Sequence, residues 1–483
     1  MTDPLQFGEP HRWRGEWWLP SAPESRVAGS LIYEPSDGAH VELIGALYMG
    51  DRRQTGPGTF TIGAGSGLLP VIHGYVDGRP VTLIQCVVTA SNVKWTSTGE
   101  SVVQDIRATI VMIGAHLDDE MRPDFERVRA SIEGLTAWSG KQAVTMEWDT
   151  QDRRSTITTT MPADESVTIG DLTYTLTNTT FGPNHRIGLG PLEAHVRHLV
   201  ELEVTSSRPV SFNDVREHVA IVAELVALAR HRRSRLLTLR AQSVGESSRE
   251  LHAQAWIDIL YQQTTRDTPD SESPNRYLAF SASDTGFAQI LTTWIAQRAR
   301  LQNAINMLMA SWTAGWYLEA KTLNLITSLE ALDAGLGTVR RLPPAQFRKL
   351  RDGILTATPD EHRAWIRAVV QNNLSLQDRL KRLAGKLPAV ASAKLLPSVE
   401  VWARAATRVR NDLSHSGATS IDFKDLAALG QITEAVAYVL LLGCIGVPDT
   451  RIEQLLLRDG ELAYACQLAA EHFTGRNLPP DAP

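Results

Sequence analysis

The period of the hydrophobic pattern changes near Ser211, and that change limits the available folds more than any other feature. Before it, apolar residues alternate with polar ones over short segments broken by glycine and proline. After it they come to recur every three to four residues, almost without interruption beyond Asp284. Alternation places every second side chain on one face of a strand, whereas the longer period builds a helix with one buried stripe. Patterns kept this far apart in sequence predict a multidomain α+β protein rather than a βαβ alternation.

The strand-like segments are 15–19, 27–33, 40–44, 71–76, 80–90 and 102–113, then 144–148, 156–161, 167–169, 172–176 and 195–204. They are rich in β-branched and aromatic residues. Pro35-Ser36-Asp37-Gly38 predicts a tight turn, since aspartate initiates turns and glycine accepts a positive φ. Many short units of period two imply antiparallel sheets, arranged as a sandwich or open barrel. Ser211 to Asp214 offers a helix cap, and the run after it predicts a helix to about residue 240, with segment 251–262 returning as a strand. Residues 264–274 read as a loop. Helical spacing then marks 286–310, 314–332, 345–350, 361–374, 377–386, 396–412 and 423–442, which together predict an antiparallel bundle. The expected division is a β-rich region at 1–210, a connecting region at 211–283 and an all-helical region at 284–483.

The composition is 43% hydrophobic and 21% charged, as in globular rather than disordered chains. The net charge of -6 gives no global attraction to nucleic acid, but its distribution is uneven. From Arg340 to Asp412 there are 15 Arg or Lys against 6 Asp or Glu, an excess of 15 − 6 = 9 positive charges. Such a stretch is either a solvated helical face or a field for phosphates. Cys86, Cys444 and Cys466 are far apart and form no C-x-x-C pair, which argues against a zinc knuckle or disulfide scaffold. The run 435–447, broken by Gly443 and Gly446, is too short to span a bilayer and reads as a buried helix. With no basic-then-apolar leader pattern, the expected location is the cytoplasm, away from membranes.

The basic stretch ends in Arg410-Asn411-Asp412-Leu413-Ser414-His415. Arginine supplies a rigid, permanently charged fork for phosphate oxygens, and imidazole exchanges protons near neutral pH. Asn411 can orient the imidazole or bond the phosphate, and Asp412 can balance charge. RNA carries its own nucleophile, the 2′-hydroxyl, so a site that positions it and stabilises the charged intermediate needs no metal or cofactor. On a continuous helix, residues five apart lie roughly 140° apart, so Arg410 and His415 would not share a face. Ser414, Ser416 and Gly417 predict that the helix stops here, leaving His415 on the first non-helical turn. The plain alternative is surface salt bridges for Arg410 and Asp412 and a capping role for His415.

Other strings carry less. Gly63-Ala64-Gly65-Ser66-Gly67 lacks the lysine of a phosphate loop, and His116-Leu117-Asp118-Asp119-Glu120 lacks a second histidine or cysteine at ligand spacing. Arg230-His231-Arg232-Arg233-Ser234-Arg235 suits a helix C-terminus, where cations face the dipole. Trp13, Trp17, Trp18, Trp95 and Trp138 can stack bases when exposed, with core packing as the default.

On these residues the chain resembles the ApeA-like HEPN family. Its R-N-x-x-x-H signature is matched by Arg410, Asn411 and His415, and the segment 322–332 with Glu330 sits where a helix beneath the motif belongs. Trp294, in a helix after a strand-and-loop lead-in, fits the same pattern. The β-rich half resembles the N-terminal domain that accompanies this HEPN domain, with Gly29 to Gly45 close to its opening. The resemblance implies a metal-independent endoribonuclease of anti-phage abortive infection, acting as a homodimer or larger homo-oligomer. It implies host RNA, tRNA included, as target, a phage-derived protein as trigger, and a sensing or restraining N-terminal domain. Arg410 and His415 would be catalytic, Asn411 supporting and Asp412 auxiliary, with 2′,3′-cyclic phosphate and 5′-hydroxyl ends as products. The competing class is a non-catalytic sensor or adaptor whose bundle binds a protein or nucleic-acid partner. A carbohydrate- or nucleotide-processing enzyme on the β-rich half has no supporting constellation.

Overall fold

The computed structural model describes residues 4–48, 52–56, 59–62, 67–96, 99–117, 125–151, 153–186, 193–243, 256–263, 277–313 and 315–474. It divides into two compact units. One comprises Met1–Ala227, Ser234–Thr268 and Ser281–Ala288, and the other Leu228–Arg233, Pro269–Phe280 and Gln289–Pro483.

The first unit is built from strands β1 (His11–Trp18), β2 (Val27–Glu34), β3 (Gly38–Ile44), β4 (Arg52–Gly56), β5 (Thr59–Ile62), β6 (Leu68–Val76), β7 (Arg79–Thr96) and β8 (Gly99–Ile113). It continues with β9 (Phe125–Ile132), β10 (Val144–Asp149), β11 (Arg154–Thr159), β12 (Glu165–Ile169), β13 (Leu172–Arg186), β14 (Glu193–Val210), β15 (Leu236–Ser243) and β16 (Ile257–Tyr261). One 12-stranded sheet runs β12-β13-β14-β9-β15-β16-β8-β3-β2-β1-β6-β7, and β7 pairs back onto β8. The strands β8-β3-β2-β1-β6-β7 therefore form a closed antiparallel ring rather than an open barrel.

Closure is possible because β8 divides one of its edges. Residues 103–108 pair with β3 and residues 110–113 with β16, while the opposite edge carries β7. The barrel wall thus continues into an extended sheet. Trp17, Leu31, Tyr33, Leu43 and Ile72 fill the interior, each less than 2% exposed. Gly74 of β6 lies under Trp17, where a Cβ would come within 2.4 Å of the indole. Trp13, Trp18 and Trp138 are also buried, so packing, not base stacking, accounts for these tryptophans. The expected 35–38 turn joins β2 to β3, with Arg107 Nη2 donating to Asp37 Oδ1 at 2.7 Å.

One helical expectation was too long. Helix α2 (Phe212–Arg230), which follows α1 (Leu135–Ser139), stops at His231, whose φ of 52° lies in the left-handed region. The chain then becomes β15, held between β9 and β16. Its Leu236, Leu239 and Ala241 are buried. The strand keeps a two-residue alternation, with Leu237, Leu239 and Ala241 against Thr238, Arg240 and Gln242. These three polar residues are buried as well, so a strand inside the sheet carries polar groups that helical spacing also accommodates.

After the single turn α3 (Ala282–Thr285), the chain is helical: α4 (Phe287–Ser311), α5 (Leu318–Gly335), α6 (Pro344–Ala357), α7 (Asp360–Val369), α8 (Leu376–Ala384), α9 (Ala389–Leu395), α10 (Val399–Ser416), α11 (Phe423–Cys444), α12 (Asp449–Arg458) and α13 (Gly460–His472). Helix α11 is long and apolar enough in composition to cross a membrane, but 83% of that window is buried inside the protein. It packs against α5, α13, α9, α12 and α10 and supplies the centre of the helical unit. Trp402 of α10 is fully buried there, its indole N–H donating to Thr433 Oγ1 at 3.3 Å.

Candidate active site

The six residues that end the basic stretch lie on the last two turns of α10. Trp402, Ala405, Ala406, Val409 and Leu413 make its buried stripe, at the spacing of one helix face. Ser398 caps the N-terminus by accepting from the Val401 N–H. The helix runs through Ser416 and stops at Gly417, whose φ of 72° lets its N–H donate to the Leu413 carbonyl at 3.1 Å. His415 is therefore still helical, one turn inside the position that the serines suggested. Glycine at the left-handed position sets the end, and the serines before it are simply tolerated.

That extra turn separates the polar side chains into three sectors. Arg410 faces α5, where its Nε donates to Glu330 Oε1 at 3.1 Å. The other oxygen of Glu330 accepts from Arg379 Nη2 of α8 at 2.6 Å. One turn further along α5, Asp333 Oδ1 accepts from Arg382 Nε at 2.9 Å. An acidic pair spaced i, i+3 on α5 thus meets an arginine pair spaced i, i+3 on α8, with Arg410 as a third guanidinium on the first carboxylate. Arg410 keeps 36% of its side chain exposed, Glu330 only 16%. Because its Nε is taken, the guanidinium is fixed in direction while Nη1 and Nη2 keep no partner among the described residues.

Asn411 and His415 form the second sector. They are four residues apart, share a helix face, and are both exposed. Asp412 lies in the third. Its Oδ2 accepts from Thr419 Oγ1 at 3.2 Å, and Arg408 Nε lies 3.9 Å away. Ser416 Oγ also donates to the Asp412 carbonyl at 2.7 Å. Asp412 thus fastens the turn after α10. Beyond His415 that turn, Phe423 and Glu319 line a cleft of ≈ 330 Å³, with Phe423 69% exposed.

Pairing within the unit trims the basic surplus of the sequence. Arg379 and Arg410 share Glu330, Arg382 takes Asp333, and Lys381 is paired with Glu400. Both α5 carboxylates come from outside the stretch 340–412, so counting charges within that stretch could not reveal them. Among the described residues no group of three or more His, Cys, Asp or Glu is arranged to hold a metal ion. The acidic end of the 116–120 string and residues 63–66 of the glycine-rich string lie outside the described residues, as does the side chain of Trp95. His116 itself stacks on His73 with ring centroids 4.6 Å apart.

A β-rich domain ahead of a helical bundle in which one helix ends in Arg-Asn…His defines a class, the HEPN-type nuclease. Residues 12–294 match the family model ApeA N-terminal domain 1, and residues 323–451 match the model Apea-like HEPN. The chain belongs to the ApeA-like HEPN family of anti-phage abortive-infection proteins. The second match includes Glu330, Arg379 and the whole of 410–415. No curated protein and no solved structure matches the chain.

Proposed function

We propose that this protein is a metal-independent endoribonuclease that cleaves RNA by attack of a 2′-hydroxyl on the adjacent phosphate, with Arg410 and His415 as its catalytic residues. The observation that carries the reading is the Glu330 bond. It fixes Arg410 by Nε and leaves both terminal nitrogens to meet a phosphate. In the proposed reaction the 2′-oxygen forms a bond to phosphorus and the bond to the 5′-oxygen breaks. One imidazole takes the 2′-hydroxyl proton and another, protonated, gives one to the leaving oxygen. The products are a 2′,3′-cyclic phosphate and a 5′-hydroxyl. Arg410 neutralises charge on the pentavalent phosphorus group. Asn411, on the face of His415, orients the imidazole, and Asp412 acts indirectly by holding the turn.

Helix α10 puts Arg410 and His415 about 140° apart around its axis and about 7.5 Å apart along it. A second copy of the chain then brings its own motif to the same phosphate, so the working site belongs to a homodimer. Host RNA, tRNA among it, is the substrate, and a phage-derived protein acting through the β-rich domain is the trigger. The cytoplasm, where such RNA is found, is its place of action.

The test is cleavage of total cellular RNA in EDTA by purified wild type, His415→Ala and Arg410→Ala, with sequencing of the cut ends. Expected are 2′,3′-cyclic phosphate ends with wild type and a loss of about 100-fold or more with either variant, the scale of losing an acid–base group. Undiminished cleavage by either variant removes the assignment. No cleavage by wild type under any activator favours a non-catalytic sensor or adaptor.

A further inference from the structure

Once the ion pairs of the helical unit are counted, the positive charge left over is concentrated on and just before α6. Arg340, Arg341, Arg348 and Lys349 have no carboxylate partner among the described residues, and Arg351 reaches only Asp352, at 3.4 Å on the surface. Three of these arginines line one cleft of ≈ 500 Å³. One wall is a face of α6, where Pro344, Phe347, Arg348 and Arg351 follow the i, i+3, i+4, i+7 spacing. The other wall is the link from α7 to α8, residues 370–373, with Gln371 and Asn373 offering amides.

This link is not a loose loop. Asn372, 9% exposed, donates from Nδ2 to the Leu342 carbonyl at 2.7 Å and accepts the Leu342 N–H on Oδ1 at 2.9 Å. Arg340 and Asn373 form an isolated antiparallel bridge, and Arg340 Nη1 donates to Asn373 Oδ1 at 2.8 Å. The two walls are thus stitched together at the mouth of α6. Arg351 keeps 36% of its side chain exposed, but its Nε is buried with no acceptor among the described residues. Three guanidiniums on one cleft, one of them with an unanswered N–H, are costly unless an anion offsets their charge.

We infer that this cleft binds a phosphate-bearing nucleotide, with Arg348 and Arg351 on the phosphate, Phe347 against the base, and the Gln371 and Asn373 amides on its polar edge. Its volume falls in the range of small-ligand sites, and paired guanidiniums suit phosphate oxygens. The nucleotide is either a free mononucleotide or one unit of an RNA strand held away from the cutting site. The second form rests on the ribonuclease reading above.

The test uses the full-length protein in EDTA and a labelled 12-nucleotide RNA carrying 2′-O-methyl groups throughout, which cannot cleave itself, with AMP and ATP as competitors. The variant is Arg348→Gln with Arg351→Gln, and Arg348→Gln alone, at a fully surface position, guards against a folding defect. Arg14→Gln with Arg208→Gln, in the β-rich unit, is the control of equal charge change. Expected for the double variant are affinity lower by about tenfold and a salt dependence shallower by about 0.7 in logarithmic slope, the share of one neutralised single-strand phosphate. The control should bind as wild type. Displacement by AMP or ATP at saturation identifies a free-nucleotide site, and binding of the strand alone identifies an RNA-holding site. Wild-type affinity and slope in the double variant, or equal loss in the control, overturns the inference. If the cleft holds the probe while wild type cuts no RNA, the ribonuclease reading fails and the site stands. If His415-dependent cutting is intact while the double variant binds normally, the reverse holds.

Discussion

Glu330 answers two arginines with one carboxylate, one to each oxygen. Its substitution by glutamine keeps the shape but leaves a single acceptor oxygen and no charge, so Arg410 loses either its anchor or its neutralising partner. We expect Glu330→Gln to lower the turnover of RNA cleavage by about tenfold with little change in KM, because Arg410 acts on charge that develops after binding. The accompanying loss of stability should be on the order of 1 kcal/mol, since both guanidiniums keep about a third of their surface in water. Arg379→Ala, which leaves Arg410 as the sole claimant on Glu330, should retain most activity. Single-turnover kinetics on one RNA separate these cases, and a Glu330→Gln variant with full turnover would show that the anchor is irrelevant. The letters Arg410, Asn411, Asp412 and His415 were legible in the sequence. Arg379 was not, because its partner lies 49 residues away and nothing local marks a long-range ion pair.

At the scale of elements, sequence periods found most helices and the strand-rich half but misjudged ends. The 361–374 segment ends as a helix at Val369, because Asn372 turns back to Leu342. The helix after Ser211 ends at Arg230 because a left-handed residue, not a loss of helix-compatible side chains, stops it. The start of that helix was legible for a local reason. Ser211 Oγ donates to Asp214 Oδ2 at 2.7 Å, and the Ser211 N–H donates to the same oxygen at 3.0 Å. The Ser211 hydroxyl first, and its backbone N–H second, hold the Asp214 carboxyl below its ordinary range. A depressed carboxylate stabilises the fold above its unfolded pKa, about pH 4, and that contribution is lost as pH falls through the lower folded value. Asp214→Asn should therefore lower the melting temperature at pH 7 and make little difference near pH 2. Thermal melts of both proteins at the two pH values check this, and an equal deficit at both would show that the carboxylate charge has no part in it. Ser211→Ala should cost about 1 kcal/mol at neutral pH, as caps usually do.

For the whole molecule, the sequence indicated antiparallel sheets followed by a bundle, but not that β8 would divide an edge between β3 and β16 and so close a ring. Ring closure is a long-range pairing choice, and alternation looks the same in open and closed sheets. The composite site proposed above is equally invisible in one chain. The spacing of Arg410 and His415 on α10 makes that proposal testable with two variants. If the motifs of two copies meet at one phosphate, a mixed dimer of Arg410→Ala with His415→Ala still holds one intact arginine and one intact histidine, from opposite subunits. Co-expression with two different tags and purification over both should give mixed dimers that cleave RNA at least about tenfold faster than either parent variant. They should remain slower than wild type, because the second imidazole is missing and acid and base can no longer be divided between two groups. Should the doubly purified mixed dimer be as inert as its parents, each subunit must use its own Arg410 and His415. The side chains would then have to converge across the 140° that the helix places between them.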